Sequence, residues 1–266
     1  MRVIFLVFGF SLYLFAGVYY AKVEPVESYT IKSAASGKVL NSVQEAEGRV
    51  SKGGVVVQLD DLLNKEDLKN SELKLAALNE MLKITQKNLE NAKKIAKIRE
   101  KNYSKIKNLK TKSRVEKDNE LVNMINSENQ VLSLMSSAES LKSQINDQKY
   151  KIATLKDVIL KKRITIPKGF LIYKLYIKDG DYVGVGTPVA DVHDISKAKL
   201  TIFVSKEDYI LAKEGVIYMD GKKTDYKINK LWDVADTQNI SSYKAEIVIP
   251  APKVFSHLVK IELKSK

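Results

Sequence analysis

A long stretch without glycine or proline, from Val55 to Ile166, dominates the pattern of apolar and polar positions. Such a length without helix breakers is typical of long helices. A first apolar register repeats every seven residues, at Leu68, Leu75, Leu82, Leu89, Ala96 and Tyr103. A second one follows, at Met124, Val131, Ala138, Ile145, Ile152 and Ile159. Apolar residues at this spacing on a polar background predict helices that each bury one seam against another helix.

The two registers are separated by a polar segment from Lys107 to Lys117, in which only Leu109 and Val115 are apolar. Two helices that meet at such a segment can fold back as an antiparallel hairpin. With about 45 to 50 residues in each helix and a rise of about 1.5 Å per residue, the hairpin would be about 70 Å long. One continuous helix in a parallel dimer is the alternative, but the flanking sequence favours the hairpin.

Composition and charge limit the function classes. The net charge is +13, and part of the excess lies near the predicted turn, at Lys105, Lys107, Lys110 and Lys112. Because the lysines are scattered over helix faces without a recognition motif, we expect solvated surfaces and no nucleic-acid partner. The chain has no cysteine, which excludes disulfides, thiolate metal sites and a lipid-acceptor cysteine.

The N-terminal segment is apolar from Val3 to Tyr20, follows a positive residue at position 2 and ends at Lys22. This pattern predicts that residues 1–21 are a signal peptide or an N-terminal membrane anchor, and that the remainder is exported. A cleavage site before Lys22 would have Tyr19 where a small residue is preferred, so both possibilities stay open.

Two β-prone blocks, residues 29–60 and 163–195, flank the helical stretch. They share one glycine spacing, with Gly37, Gly48 and Gly54 in the first block and Gly169, Gly180 and Gly186 in the second. A glycine at each turn can adopt a positive φ where a short strand reverses. The blocks therefore form an internal repeat that the helices interrupt.

Half-motifs of the form Gly-x-Val, Gly-x-x-Val-x-x-Gly and Leu-Asp on both sides of a coiled-coil hairpin resemble the membrane fusion proteins. This family of periplasmic adaptors includes the HlyD-like secretion adaptors and the adaptors of RND and ABC efflux pumps. The resemblance implies an α+β fold, in which a lipoyl-like β-sandwich (29–60 and 163–195) is split by an antiparallel α-helical coiled-coil hairpin (61–162). A small β-barrel domain with a C-terminal strand (196–266) would follow.

The C-terminal part supports this division, because Leu200, Ile202 and Val204 alternate as in a strand, and Ser205 is a candidate helix cap. The sequence Ser205 to Asp208 is similar to the family's Pro-Glu-x-Asp motif. Beyond position 251 only the run from 258 to 263 is strand-like, so a complete fourth, membrane-proximal domain does not fit.

No residue pattern predicts catalysis, a cofactor or a metal. His193 and His257 lie far apart in the sequence without metal-ligand spacing, and the glycines from Gly180 to Gly186 are better explained by turns than by a phosphate loop. Between the two half-motifs there is no lysine signature of a lipoyl or biotinyl carrier. The chain is therefore not expected to be an enzyme.

The candidate functional site is the hairpin turn. Efflux adaptors carry an Arg, a Leu four residues later, a Ser seven beyond that, and then an acidic residue. Here Lys105, Leu109, Ser113 and Asp118 match in part, with Lys for Arg and with Leu109 and Ser113 three residues closer together. The resemblance implies that this tip contacts an outer-membrane channel. An ordinary helix-to-helix turn with a serine cap is the alternative interpretation.

The resemblance further implies a periplasmic adaptor, associated with the inner membrane, that links an inner-membrane transporter of RND or ABC type to the channel. A homo-oligomeric ring is expected, with the N-terminal segment in the inner membrane if it is not cleaved. A structural coiled-coil protein of the envelope is one alternative, although it leaves the glycine repeat unexplained. A lipoyl- or biotinyl-type carrier subunit is the other.

Overall fold

The computed structural model describes residues 17–265 of the chain. Its helices are α1 Leu62–Ile106, α2 Arg114–Lys161 and α3 Tyr209–Glu214. Its strands are β1 Gly17–Lys32, β2 Gly37–Ser42, β3 Val55–Leu59, β4 Arg163–Thr165, β5 Phe170–Leu175, β6 Tyr182–Val183, β7 Pro188–Val204, β8 Val216–Met219, β9 Lys222–Lys223, β10 Ile228–Ala235, β11 Tyr243–Pro250 and β12 Leu258–Lys264. Contacts divide the described residues into a hairpin unit, 35–37 and 59–163, and a strand unit, which holds the rest.

The two long helices pack against each other along the predicted seam, so the prediction of an antiparallel hairpin is confirmed. α1 has 45 residues and α2 has 48, and a turn of residues 107–113 joins them. Leu78, Leu141 and Ile145 form a buried cluster against which Leu75 and Leu82 pack. Leu75 and Leu82 belong to the first register and Ile145 to the second, whereas Leu78 and Leu141 each lie three positions after a register member. This is expected if each heptad row faces the other helix.

Three polar residues of α1, each three positions after a member of the first apolar register, also face the second helix. Ser71 is only 4% exposed, and Thr85 and Arg99 are half-buried like the leucines beside them. Arg99 lies 3.9 Å from Glu120 of α2, and Lys156 of α2 lies 3.0 Å from a carboxylate oxygen of α1. The seam is therefore continuous in space although it is not continuously apolar.

The two glycine-rich blocks fold together as one split β-domain, as predicted. Strands of both blocks form a four-stranded sheet in the order β4-β3-β2-β6. The blocks also exchange hydrogen bonds at their turns. Gly48 N of the first block donates to Ile172 O of the second at 2.8 Å, and Gly180 N of the second donates to Val39 O of the first at 3.0 Å. Neither block could form this arrangement alone.

An antiparallel sheet in the order β10-β11-β7-β1-β12-β8-β9, with β5 paired to β7, makes up the remainder of the strand unit. Its core is apolar and forms an open half-barrel; side chains at most 1% exposed include Val23, Leu200, Ile202, Ile247 and Ile261. β1 pairs with β12 through its first residues and with β7 through its last ones. β7 likewise pairs first with β5 and then with β11. These two long strands connect the split domain to the half-barrel.

Two details differ from the sequence prediction. Residues 17–21, which we placed in the signal peptide or anchor, belong to β1, where Ala21 is 1% exposed; the rest of that predicted segment, residues 1–16, lies outside the described residues. The short helix α3 has Asp208 rather than Ser205 at its N-cap. Ser205 Oγ instead accepts a hydrogen bond from Asp208 N at 3.2 Å, one turn earlier.

Among the described residues, 17–265, none of the helices α1, α2 and α3 combines the length and the apolar character that a membrane span requires.

Candidate functional site

The hairpin tip is a short, hydrogen-bonded turn. The backbone N–H of Lys107 donates to Tyr103 O at 2.9 Å, and that of Leu109 donates to Ile106 O at 3.0 Å. The side chain of Leu109 remains 45% exposed, whereas Ile106, at the end of α1, is half-buried. The turn therefore presents an apolar side chain to solvent.

Ser113 caps α2 through a reciprocal pair of hydrogen bonds. Its Oγ accepts from Glu116 N at 3.3 Å, and Glu116 Oε2 accepts from Ser113 N at 2.9 Å. This capping box satisfies backbone N–H groups that the first turn of a helix leaves unpaired. Lys112 Nζ lies 2.9 Å from Glu116 Oε1. The pKa of Glu116 is lowered to about 2; the largest cause is the hydrogen bond from Lys112, and the hydrogen bonds from Ser113 contribute next.

The structure places all four predicted tip residues at the tip, but with different surroundings. Lys105 is exposed in the last turn of α1, and Leu109 lies in the turn itself. Ser113 is occupied by the cap, and Asp118 lies on α2, 3.8 Å from Arg114. Whether any of them contacts a partner stays a prediction.

The tip carries an excess of positive charge that extends beyond the residues we singled out from the sequence. Residues 101–117 contain seven basic side chains and one acidic side chain, Glu116. Lys112 and Arg114 have carboxylate partners. Among the described residues, the remaining five have no ion-pair partner: Lys101, Lys105, Lys107, Lys110 and Lys117. The exposed Leu109 is thus set among unpaired cations.

Most of the predicted turn glycines have the backbone conformation that their role requires. Gly48 and Gly180 have φ of +75° and +90°, and an added Cβ would meet nothing within 4 Å at either position. Gly54, Gly169 and Gly186 also have positive φ. Gly37 differs, because it begins strand β2 without a positive φ; a Cβ there would lie 3.5 Å from Leu59 Cβ.

The histidines make only local contacts. His193 Nδ1 lies 2.7 Å from Ser28 Oγ, and His257 Nδ1 lies 3.0 Å from Val254 O. In the part of the chain that the structure describes, no group of three or more His, Cys, Asp or Glu side chains could hold a metal ion.

No protein-family model and no curated protein sequence matches this chain. Solved structures do match it. MacA from Actinobacillus actinomycetemcomitans is 16% identical with a TM-score of 0.73, over 94% of this chain and 78% of that one. The membrane fusion protein Spr0693 from Streptococcus pneumoniae R6 is 12% identical with a TM-score of 0.65, over 94% and 99%.

A third match is a MacA-MexA chimeric protein that contains the Pseudomonas aeruginosa MexA α-hairpin domain. It is 15% identical with a TM-score of 0.60, over 95% of this chain and 82% of that one. At such identities the similarity concerns the fold. The resemblance seen in the glycine repeat and the heptads is therefore confirmed at that level, and the chain has the fold of the membrane fusion proteins.

Proposed function

We propose that this protein is a periplasmic adaptor that links an inner-membrane transporter of RND or ABC type to an outer-membrane channel. It would act without chemistry of its own, and it would be held at the inner membrane after export. The fold supports the proposal, because α1 alone extends for about 70 Å at 1.5 Å per residue. Such a hairpin presents its turn to a partner far along the helix axis.

The observation that carries the proposal is the exposed Leu109 among unpaired lysines at the tip. A leucine outside both heptad rows contributes little to the hairpin seam, and it is free to enter an apolar pocket of a partner. Cations around an apolar anchor add electrostatic complementarity to an acidic surface, which speeds association and favours the correct partner. Apolar anchors at the centre of an interface commonly dominate its binding energy.

The test is Leu109→Asp in the full-length protein, assayed by co-purification with a co-expressed outer-membrane channel. The substitution should abolish binding, because the contact would desolvate a carboxylate that has no partner. The thermal melt of the isolated protein should be unchanged, since the side chain lies in an exposed turn. Leu73→Asp is the matched control, because Leu73 is 63% exposed on α1 away from the turn.

Each outcome has one meaning. Loss of channel binding in Leu109→Asp alone, with unchanged melts, supports the proposed contact. Unchanged binding with an unchanged melt means that the tip is an ordinary helix-to-helix turn. Loss of both binding and stability means that Leu109 supports the hairpin fold, and the proposed contact is then rejected.

The expected homo-oligomeric ring is also part of this proposal. Each long helix carries a second apolar row outside the seam, with residues 42% to 62% exposed: Met81, Ile84, Ile95 and Ile98 on α1, and Val122, Ile125, Leu132 and Met135 on α2. Successive residues of a row are either three positions apart or at least seven positions apart, and this spacing places each row on one face of its helix. Packing of the α1 row of one copy on the α2 row of the next would be a heterologous contact, which can close into a ring.

Ile98→Glu tests the ring by sedimentation velocity. A glutamate within the proposed contact should reduce the oligomer to monomers without changing helicity, because Ile98 is 58% exposed in the single chain. Leu73→Asp, outside both rows, should leave the oligomer intact. A wild-type protein that stays monomeric at high concentration contradicts the ring.

A further inference from the structure

A groove in the strand unit, remote in sequence from the hairpin tip, has no role in the adaptor proposal. Its volume is about 500 Å³, and strands β1, β5 and β7 and the segment before β12 line it. It lies where β1 and β7 lose their register, because the pair Pro25 and Ala198 is followed by the pair Glu27 and Asp194. Between these two pairs, β7 has two more residues than β1.

Three of the residues that line the groove carry rings. The rings of Tyr173 and His193 lie 5.0 Å apart between centroids and are inclined by 54°. The contact of His193 Nδ1 with Ser28 Oγ holds the imidazole in place. Phe255 also lines the groove and packs on the half-barrel core. Tyr173 remains 61% exposed, so a ligand in the groove can reach its side chain.

The polar part of the groove is positively charged. Lys22, Lys199 and Glu24 line it. Glu24 and Lys199 are opposite each other in the ladder of β1 and β7. Nevertheless, within residues 17–265 none of these three side chains forms an ion pair at 4 Å or less. Two lysines against one carboxylate leave one excess positive charge beside a surface of aromatic rings.

We propose that this groove binds a small organic anion that carries a flat ring, such as an aromatic carboxylate or sulfonate. The ring stacks on Tyr173 and Phe255, and the anionic group lies at Lys199 and Lys22. Aromatic rings bind flat apolar groups through their faces, and a partly enclosed lysine attracts an anion more strongly than one in bulk solvent does. The carboxylate of Glu24 repels the anion and so weakens binding. The proposal does not depend on the adaptor role.

The experiment is calorimetric titration of the full-length protein, in detergent, with naphthalene-2-sulfonate. Two further probes separate the contributions of its parts: 2-naphthol has the ring without the charge, and methanesulfonate has the charge without the ring. We expect saturable binding of naphthalene-2-sulfonate, at least ten-fold tighter than that of either part. Titration into detergent alone gives the background.

Variants locate the site. Tyr173→Ala and Lys199→Gln should each weaken binding at least five-fold, and Glu24→Gln should strengthen it. Tyr182→Ala and Lys206→Gln are the controls, because both side chains are exposed and outside the groove. Absence of saturable binding, or equal losses in the groove and control variants, overturns the proposal. A melt of each variant identifies those that fail to fold, and Glu24→Gln then decides, because improved affinity cannot arise from unfolding.

Discussion

Gln148 of α2 donates a hydrogen bond from its side-chain Nε2 to the backbone carbonyl oxygen of Ser71 in α1, at 3.0 Å. Both residues are buried, with exposures of 7% and 4%. A buried amide loses its partner if the helices slide past each other, and an unpaired buried polar group is costly. The pair therefore fixes the alignment of the two helices, as a single buried polar residue does in many coiled coils.

This alignment predicts a cross-link within one chain. The protein has no cysteine, so Ser71→Cys with Gln148→Cys introduces a unique pair that a short bifunctional thiol reagent should join. The product should migrate as a compact monomer in denaturing electrophoresis. Ser71→Cys with Ser127→Cys is the control, because Ser127 lies about 30 Å further along α2 at 1.5 Å per residue. Cross-links found only between chains would contradict the hairpin.

The turn glycines predict that the two β-blocks unfold together. Gly48→Val and Gly180→Val each force a β-branched residue to a positive φ, and each should lower the free energy of unfolding by about 1 to 3 kcal/mol. Since the space around both positions is empty, the cost is conformational. Gly37→Ala should cost much less, because its φ is not positive and the new Cβ makes an ordinary contact. Thermal denaturation measures all three.

A single transition that both valine variants shift is the expected result. Two transitions, each sensitive to only one of the variants, would mean that the blocks are separate domains. The reciprocal hydrogen bonds of Gly48 and Gly180 are the physical reason for expecting one transition, since each turn is held by a strand of the other block.

The sequence predicted the hairpin and its turn because a heptad seam is a local pattern whose phase can be followed residue by residue. It did not predict the role of Gln148, because a heptad pattern of apolar residues carries no information about polar residues in the seam. Their pairing depends on which positions of the two helices meet. That depends on the length of the turn, which the sequence did not define to within one residue.

The start of β1 was missed for another reason. In a strand of a half-barrel, side chains alternate between core and solvent, but here the outward residues Val18 and Tyr20 are apolar as well, at 47% and 67% exposed. The alternation is therefore invisible within an apolar run. At the tip, the signal for Glu116 was present as Ser-x-x-Glu at positions 113–116. Comparison with the efflux-adaptor spacing directed attention to Asp118 instead.

Acid should weaken the cap at the tip. The pKa of Glu116 is lowered from 4.5 to about 2 in the folded protein, so the unfolded chain binds more protons between these values. The cap's contribution to stability is therefore present above about pH 4.5 and is lost as the pH falls toward 2. Hydrogen exchange at the Ser113 and Glu116 amides should accelerate over this range, relative to the intrinsic rate.

Glu116→Gln is the control for the acid effect, because glutamine can complete a capping box without titrating. Its exchange should not show the additional acceleration between pH 4.5 and 2. Ser113→Ala should remove the cap at every pH, at a cost of about 1 kcal/mol to local helix stability. The same pH dependence in wild type and Glu116→Gln would show that other carboxyl groups are responsible.

Finally, the strand unit predicts that residues 17–21 remain in the mature protein, whether or not the preceding segment is cleaved. Ala21 is opposite Val259 in the ladder of β1 and β12 and is 1% exposed. Tyr19 donates a hydrogen bond to Asp208 Oδ2 at 2.5 Å. The pKa of its phenol is raised, mainly because the group is partly buried and in addition because it bonds to this carboxylate. Cleavage before Lys22 would remove these contacts and leave β12 without one neighbour.

Intact mass of the exported protein should therefore give an N-terminus at or before Gly17. A chain that starts at Gly17 should melt like the exported protein. In a chain that starts at Lys22, the free energy of unfolding should fall by more than about 3 kcal/mol. The reason is the loss of buried apolar surface and of the ladder hydrogen bonds to β12. Suppose instead that the exported protein starts at Lys22 and that the chains starting at Gly17 and at Lys22 are equally stable. Residues 17–21 are then not part of the native half-barrel. If the exported protein starts earlier and only the shorter chain is destabilised, the half-barrel needs residues 17–21, and the strand itself excludes the cleavage site before Lys22.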